Sequence, residues 1–305
     1  MTSAVPDRQA EVERIQRREA WRRRLPLLPA LLFAIVVTQV PFAVSFYYSL
    51  TEWELLTGTG REFIGFGNYT DLIGDRFFRE VIWTSILMTV LAVVLSLLLG
   101  LGLAVLLDRK FPGQGIARTL LITPFLIMPV VAGNIWKTQM LNATFGVINN
   151  VLEAVGIGSI EFVSRFPLLS VVAVLVWQWS PFMMLIMLAG LQGQDASVLE
   201  AARVDGASTQ SIFFQITLPQ LRPYMELCVL LGSIYLVQTF DQIVVLTGGA
   251  VGSKNVPFFV YDEFRLNPSY GELSAYSIVV VIASIIIATF GLRVLSNLLE
   301  GETPA

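Results

Sequence analysis

Long uncharged, apolar stretches alternate with short charged segments along this chain. An apolar run of about 18 residues or more is long enough to cross a bilayer as an α-helix. Five stretches meet that length, and a sixth, which ends before Asp241, meets it only if Asp241 lies near the outer end of its helix. The pattern predicts an all-α integral membrane protein with one six-helix domain over residues 25–299. The predicted spans are 27–50, 81–107, 119–137, 166–192, 224–246 and 273–295.

Composition agrees with this pattern. Hydrophobic residues make up 55% of the chain and charged residues 14%, with a mean hydropathy of +0.69, whereas about 25% of residues are charged in an average soluble protein. The connections between the predicted spans are too short for a second folded domain. The single cysteine, Cys228, lies in an apolar span and has no partner for an internal disulfide.

The distribution of basic residues predicts the orientation. Residues 1–24 carry seven arginines against four acidic residues, which is typical of a cytoplasmic anchor beside anionic headgroups, with nucleic-acid binding as the weaker alternative. Segments on the same side as this terminus hold thirteen Lys or Arg, and the opposite connections hold seven. Basic residues concentrate on the cytoplasmic side, so both termini and the loop 195–222 are expected inside.

The loop 195–222 is hydrophilic and regular. Asp195 or Ser197 is a suitable N-cap for a helix reaching Ala202, and Gly206 permits a sharp turn after it. Ser208 caps a second predicted helix that runs to Leu218, and Pro219 is expected to break the chain before the fifth span. The prediction is a helix, turn and helix along the cytoplasmic face, with Glu200 and Asp205 exposed beside the small Ala201 and Ala202. Such a ridge fits a partner's cleft, although a plain re-entrant loop remains an alternative.

Polar and aromatic residues interrupt two of the apolar spans. The fourth span contains Trp177-Gln178-Trp179, and a buried Gln must find hydrogen-bond partners in hydrocarbon. Aromatic faces beside amides suit a polyhydroxylated ligand, and helix packing is the alternative. Asp241 could bind hydroxyl groups or cap a helix end. The candidate cavity residues are Asn134, Trp177, Gln178, Trp179, Tyr235, Gln238 and Asp241.

Proline and small residues give further local predictions. Pro124 and Pro129 are expected to bend or break the third span. A short outer helix is predicted from about Phe145 to Val155, bounded by Gly156. Small side chains repeat every four residues in the second span, which predicts close approach of another helix. These are Ala92, Ser96, Gly100 and Ala104.

Three absences restrict the function. The sequence has no histidine and no buried carboxylate pair, so a proton relay or an intramembrane hydrolase has little to work with. It also has no phosphate-binding loop, and Gly252-Ser253-Lys254 has the wrong residue order for one. Any use of ATP must therefore come from another chain. A stand-alone secondary carrier or channel remains the alternative, although it should show a buried ion-coupling residue; a membrane-bound enzyme lacks a catalytic set.

A spaced motif in the cytoplasmic loop resembles a known signature. Glu200-Ala201-Ala202 is followed after three residues by Gly206, after nine more by Ile216, and then by Leu218-Pro219. This pattern is similar to the Glu-Ala-Ala signature of permease subunits from binding-protein-dependent ATP-binding-cassette importers. The resemblance covers roughly residues 25 to 295.

Other segments resemble the carbohydrate-uptake branch of that family, which includes maltose, glycerol-phosphate and polyol permeases. They are Phe63 to Tyr69, whose alternative interpretation is an interfacial anchor, Arg118 to Pro124, and Phe240 to Gly249. The region of Trp177-Gln178-Trp179 and Met183-Met184 is most similar to sugar-alcohol permeases of the mannitol or sorbitol type. Unlike the larger maltose-type relative, this chain lacks extra N-terminal spans and a large outer domain.

The resemblance implies a type I importer fold with a cytoplasmic coupling helix at Glu200 to Gly206. It implies a multi-pass protein of the bacterial plasma (inner) membrane that imports a sugar, oligosaccharide or sugar alcohol and is not itself an enzyme. The implied partners are a second permease, two cytoplasmic ATP-binding subunits, an extracytoplasmic solute-binding protein and membrane lipid, without nucleic acid. No cofactor is expected in this chain, because ATP and Mg would be bound by the ATPase.

Overall fold

The computed structural model describes residues 25–54, 60–266 and 269–300. These residues are almost entirely helical, and the described part contains one small antiparallel sheet of two short strands. The predicted all-α class is therefore confirmed. The arginine-rich segment 1–24 lies outside the described residues.

The described residues fall into two compact units, of which the smaller comprises 25–54, 60–68 and 269–275. It contains α1 (Leu28–Ser49) and strands β1 (Thr51–Glu52) and β2 (Glu62–Phe63). The Asn68 side chain, 8% exposed, donates hydrogen bonds to the carbonyl oxygens of Ser49 and Thr51. Its side chain therefore links the end of α1 to the start of β1.

The larger unit comprises 69–266 and 276–300. Helix α2 (Gly67–Gly74) and the last helix, α15 (Tyr270–Glu300), each begin in the smaller unit and end in the larger one. The remaining helices are α3 (Arg76–Asp108), α4 (Gln114–Leu126), α5 (Pro129–Ile135), α6 (Val147–Ala154), α7 (Phe162–Arg165), α8 (Pro167–Gln192), α9 (Ala196–Val204), α10 (Thr209–Ile212), α11 (Leu218–Gln220), α12 (Arg222–Leu236), α13 (Asp241–Leu246) and α14 (Val256–Leu266). Two π-helical turns, Trp136–Met140 and Phe213–Thr217, follow α5 and α10.

Helices α3 and α8 pack along each other at the centre of this unit. Asp75 caps α3 by accepting hydrogen bonds from the N–H groups of Phe77 and Phe78. The predicted small-residue stripe is buried, and a Cβ at Gly100 would lie 2.9 Å from the Cβ of Met183. The expectation of a close helix approach is therefore confirmed, and α8 is the partner.

The predicted third span is broken. Helices α4 and α5 meet at an angle of 102°. Pro129 begins α5, where its missing N–H costs nothing, whereas Pro124 lies inside α4 and does not end it. The predicted break is thus confirmed at Pro129, whereas α4 continues for two residues past Pro124.

The predicted fifth span, 224–246, is not one continuous helix. Helix α12 ends at Leu236, and α13 begins at Asp241 after Phe240 adopts φ −136° and ψ −56°. The side-chain amide of Asn255 donates to the carbonyl oxygen of Thr239 in this interruption. That bond satisfies one of the groups freed by the break.

Four of the described helices are long and apolar enough to cross a membrane, and the bent pair α4 and α5 makes a fifth candidate. The four are α1, α3, α8 and the Tyr270–Arg293 part of α15. The count of six spans remains a prediction, because it requires that α12 and α13 together cross the membrane as one span. The short outer helix is present as α6, close to its predicted limits.

Candidate functional site

Helix α9 forms the first half of the loop 195–222. Of the two predicted caps, Asp195 is the one used, since its side chain accepts a hydrogen bond from the Ser197 N–H at 2.9 Å. This bond lowers the pKa of Asp195. Gly206 has φ +84°, and the N–H groups of Gly206 and Ala207 donate to the carbonyl oxygens of Arg203 and Ala202. This is a Schellman ending, for which glycine is the favoured residue.

The second half of the loop departs from its predicted form. Ser208 caps α10 as expected, by accepting from the Ser211 N–H, but the helix predicted to reach Leu218 widens into the second π-turn. Pro219 cannot donate to the carbonyl of the residue four before it, and the Leu218 N–H donates instead to Phe213. The break predicted at Pro219 lies two residues later, because Pro219 is within α11 and the helix is interrupted at Leu221.

The structure divides the signature residues into two groups. Glu200, Ala201, Asp205 and Gly206 are exposed, and Ala202 is half-buried. The neighbouring Val204 is 88% exposed. Ile216, Leu218 and Pro219 are half-buried, and Leu218 packs against the hydrophobic core. The first group is therefore available to a partner, and the second anchors the loop.

A cavity of about 340 Å³ lies among α8, α12 and the two helix breaks. It brings together five of the seven candidate cavity residues, namely Gln178, Trp179, Tyr235, Gln238 and Asp241. The other residues of its lining were not predicted from the sequence: Phe125, Ile127, Pro129, Thr239, Phe240 and Gln242. The prolines at the bend were the available signal for Ile127 and Pro129.

Two candidate residues lie outside this lining. Trp177 packs edge to face on Trp136, with ring centroids 5.8 Å apart, so helix packing is its role in this structure. Asn134 is exposed on α5. Neither residue is part of the lining that holds the other five, and a role of these two in binding a solute stays a prediction.

Aromatic rings form one side of the cavity. The Trp179 and Tyr235 rings lie 5.5 Å apart at an angle of 33°, and the Phe125 ring meets Trp179 edge-on at 5.6 Å. Tyr235 is 59% exposed, Gln238 is exposed and Asp241 is half-buried. The accessible surface thus combines flat apolar faces with an amide and a carboxylate.

Gln178 is used differently from its neighbours. Its side chain is 4% exposed, and its Nε2 donates to the carbonyl oxygen of Ile127 at 2.8 Å, at the bend between α4 and α5. Its Oε1 accepts from Nε2 of Gln242 at 2.9 Å. Gln178 therefore connects the two helix breaks across α8 and forms part of the frame of the cavity.

A larger cavity of about 590 Å³ lies between the first turns of α3 and the loop after α13. Two of its cations are paired, Arg76 with Glu80 at 3.4 Å and Lys254 with Asp262 at 2.5 Å. Arg79 is the third cation of its lining, so these pairs leave the cavity with a small positive charge. Among the described residues, no group of three His, Cys, Asp or Glu side chains could hold a metal ion.

Comparison with known proteins gives concordant results. The family described as "Binding-protein-dependent transport system inner membrane component" matches residues 114–299. The sulfoquinovosyl glycerol transport system permease protein SmoG of Agrobacterium fabrum is 34% identical over 277 residues, which are 89% of each chain. The trehalose transport system permease protein SugA of Mycobacterium tuberculosis is 32% identical over 88% of this chain and 89% of its own.

The fold is also found among solved structures. A chain of a bacterial ABC transporter involved in the import of the acidic polysaccharide alginate superposes with a TM-score of 0.76. The match covers 92% of this chain and 96% of that one, at 17% sequence identity. At that identity the likeness establishes the shared fold.

Proposed function

This chain belongs to the family of binding-protein-dependent transport system inner membrane components, and on that basis we propose that it lines half of the pathway of an ATP-driven carbohydrate importer. Family membership confirms the expected type of protein, a multi-pass membrane transport subunit rather than an enzyme. The substrate, the partner set and the roles of individual residues belong to the proposal.

The solute is a sugar, an oligosaccharide or a sugar alcohol, and it contacts the 340 Å³ cavity. One observation carries this assignment: the exposed Tyr235 ring lies against Trp179 beside Gln238 and Asp241. Sugar rings present apolar C–H faces next to hydroxyl groups, and they fit aromatic faces with adjacent hydrogen-bonding groups. The volume lies within the range of about 300–1,000 Å³ found for small-molecule sites. The substrates named for SmoG and SugA belong to the same chemical class.

The exposed part of the loop docks the ATPase. Helix α9 presents Glu200, Ala201 and Asp205, and the αL turn at Gly206 ends it abruptly. Small residues beside carboxylates permit close approach of a partner. This assignment places the loop and both termini in the cytoplasm, in agreement with the basic-residue distribution.

The partners are a second permease, two cytoplasmic ATP-binding subunits that hold ATP and Mg, and an extracytoplasmic solute-binding protein. A related alginate transporter has been crystallised with a pentasaccharide-bound periplasmic protein, which supports the last of these. ATP binding moves the ATPases together, the loop follows, and the cavity opens outward to receive solute. Hydrolysis restores the inward-facing state.

The decisive experiment is transport by the assembled complex in proteoliposomes with a panel of labelled sugars and polyols. Uptake should require ATP, the ATPase subunits and the loaded solute-binding protein. Binding measurements on the solute-binding protein identify which solutes belong in the panel. Uptake by this chain without ATP or partners would instead support a stand-alone carrier or channel.

A further inference from the structure

Gln194, two residues after the end of α8, contacts the return segment, Phe213–Tyr224, which runs from the second π-turn through α11 into the first residues of α12. Nε2 of Gln194 donates a hydrogen bond to the carbonyl oxygen of Thr217 at 3.0 Å, across 23 residues of chain. Gln194 is half-buried, and Thr217 is buried. The bond therefore lies largely out of water, where it is stronger than on an open surface.

A glycine at the end of α8 lets side chains of the return segment reach the α8 backbone at the same place. A Cβ at Gly190 would lie 2.7 Å from Cδ2 of Leu221 and 2.7 Å from Cδ2 of Tyr224. Leu221 is fully buried in this contact region. The end of α8 and the start of α12 thus meet without a side chain of α8 between them.

This contact joins the loop to the cavity. Helix α8 carries Trp179, which lines the cavity. Helix α12 carries Tyr235, which lines the cavity one residue before the helix ends. Along the chain, α9 follows α8 and is separated from α12 by α10, the second π-turn and α11. Gly193 and Gly206 flank it, and glycine provides little resistance to backbone rotation.

A loop flanked by two such residues would absorb a displacement by bending. The Gln194 bond restrains this, because it fixes the return segment to the residue that immediately precedes the N-cap of α9. Coupling between distant sites requires an element that moves as a body rather than one that deforms.

We propose that Gln194 is a positioning residue that ties the start of the loop to its return segment beside the end of α8, so that displacement of α9 by the ATPase reaches the cavity helices. The inference rests on the proposed function, because it requires that the ATPase acts on α9. Gln194 is not part of the cavity lining. Its role depends on a hydrogen-bond donor at this position.

The test uses the complete complex in proteoliposomes with three variants. Gln194→Met keeps the length of the side chain and removes the donor, whereas Gln194→Lys supplies a donor again. Gln192→Met is the matched control, because Gln192 is exposed at the end of α8, two residues before Gln194. Solute uptake, ATP hydrolysis and the ratio of ATP hydrolysed to solute imported are measured for each.

Uptake by Gln194→Met should fall about fivefold to tenfold, the factor expected for one net hydrogen bond. ATP hydrolysis should stay within about twofold of the unaltered complex, so the ratio of ATP to solute rises. Gln194→Lys should restore most of the lost uptake, and Gln192→Met should behave as the unaltered protein. A merely structural role would lower both activities together and leave their ratio constant.

An unchanged ratio in Gln194→Met, or a Gln194→Lys variant no better than Gln194→Met, would overturn the inference. If Gln194→Met does not assemble, Gln194→Glu replaces it, because it keeps the shape of the side chain and removes the donor. An unchanged ratio in Gln194→Glu is equally decisive. Glu200→Lys in parallel separates the two proposals. If Glu200→Lys couples ATP hydrolysis to uptake normally, the proposed docking function is contradicted. If Glu200→Lys is uncoupled and Gln194→Met is not, only the role of Gln194 is contradicted.

Discussion

The side chains of Gln178 and Gln242, which are 64 residues apart in the chain, form a buried hydrogen bond of 2.9 Å. Gln178 also holds the Ile127 carbonyl. Both of its polar atoms are thus used inside the protein, which separates it in function from Tyr235 and Gln238.

Replacing Gln178 should therefore reduce stability before it affects recognition. Gln178→Met removes both bonds at constant length and leaves the Ile127 carbonyl and the Gln242 amide without their partner. An unsatisfied buried polar group costs about 1–3 kcal/mol. The thermal unfolding midpoint of the purified protein in detergent should fall by several degrees. Gln192→Met, at an exposed position of the same helix, provides the control, and equal midpoints for the two variants would disprove the structural role.

Tyr235 is the residue at which recognition can be tested with least disturbance, since its ring is 59% exposed. Tyr235→Ala removes the aromatic face beside Trp179 and should raise the KM for uptake about threefold to tenfold, as expected for the loss of one aromatic contact worth about 0.5–1.5 kcal/mol. Tyr235→Phe keeps the face and should retain most of the affinity.

Asn134→Ala serves as the control for this prediction, because Asn134 is a polar residue outside the cavity lining. It should leave KM unchanged. If Tyr235→Ala and Asn134→Ala had the same KM, the assignment of this cavity to the transport pathway would be wrong.

The exposed half of the signature should affect coupling rather than folding. Glu200→Lys reverses a charge on an exposed face of α9, so the protein should reach the membrane in normal amount. Uptake and stimulation of the ATPase by the loaded binding protein should both be lost, which is measured in membranes and proteoliposomes.

Gly206 should be sensitive for a conformational reason. Its φ of +84° is disfavoured for any residue with a Cβ, although the space around it is open, and Gly206→Ala should destabilise the turn by roughly 1–2 kcal/mol. Hydrogen exchange in α9 should rise, and uptake should fall. Gly115→Ala is a suitable comparison, since Gly115 lies in α4 with open space around it and no positive φ.

The contact between α3 and α8 should be sensitive to a single methyl group. Gly100→Ala places a Cβ 2.9 Å from both the Met183 Cβ and the Met184 nitrogen. Overpacking of this kind costs about 1–3 kcal/mol, so the unfolding midpoint should fall. Gly102→Ala, two residues along the same helix in open space, should be neutral, and similar midpoints for the two variants would contradict the close packing.

Local signals in the sequence predicted a large part of this structure. The charge-free runs correspond to α1, α3, α8 and α15, the Asp195 and Ser208 caps are present, and Gly206 adopts the conformation that only glycine tolerates readily. These features depend on neighbours a few residues away, so spacing alone reveals them.

The remaining features depend on contacts between distant parts of the chain. The interruption after Leu236 is stabilised by Asn255 and Gln242, and the bend after Leu126 by Gln178. Hydropathy cannot report a hydrogen bond across 51 residues. The direction of Trp177 away from the cavity likewise follows from its packing on Trp136.

The frame of the cavity and its accessible surface are made by separate residues, and this has a consequence for how specificity evolves. Substitutions at Tyr235 or Gln238 alter the groups that meet a solute without disturbing the bond that supports the bend. A substitution at Gln178 disturbs that bond first. New transport specificities are therefore expected to arise by exchange of residues at the end of α12, while the broken helices beneath them are inherited unchanged.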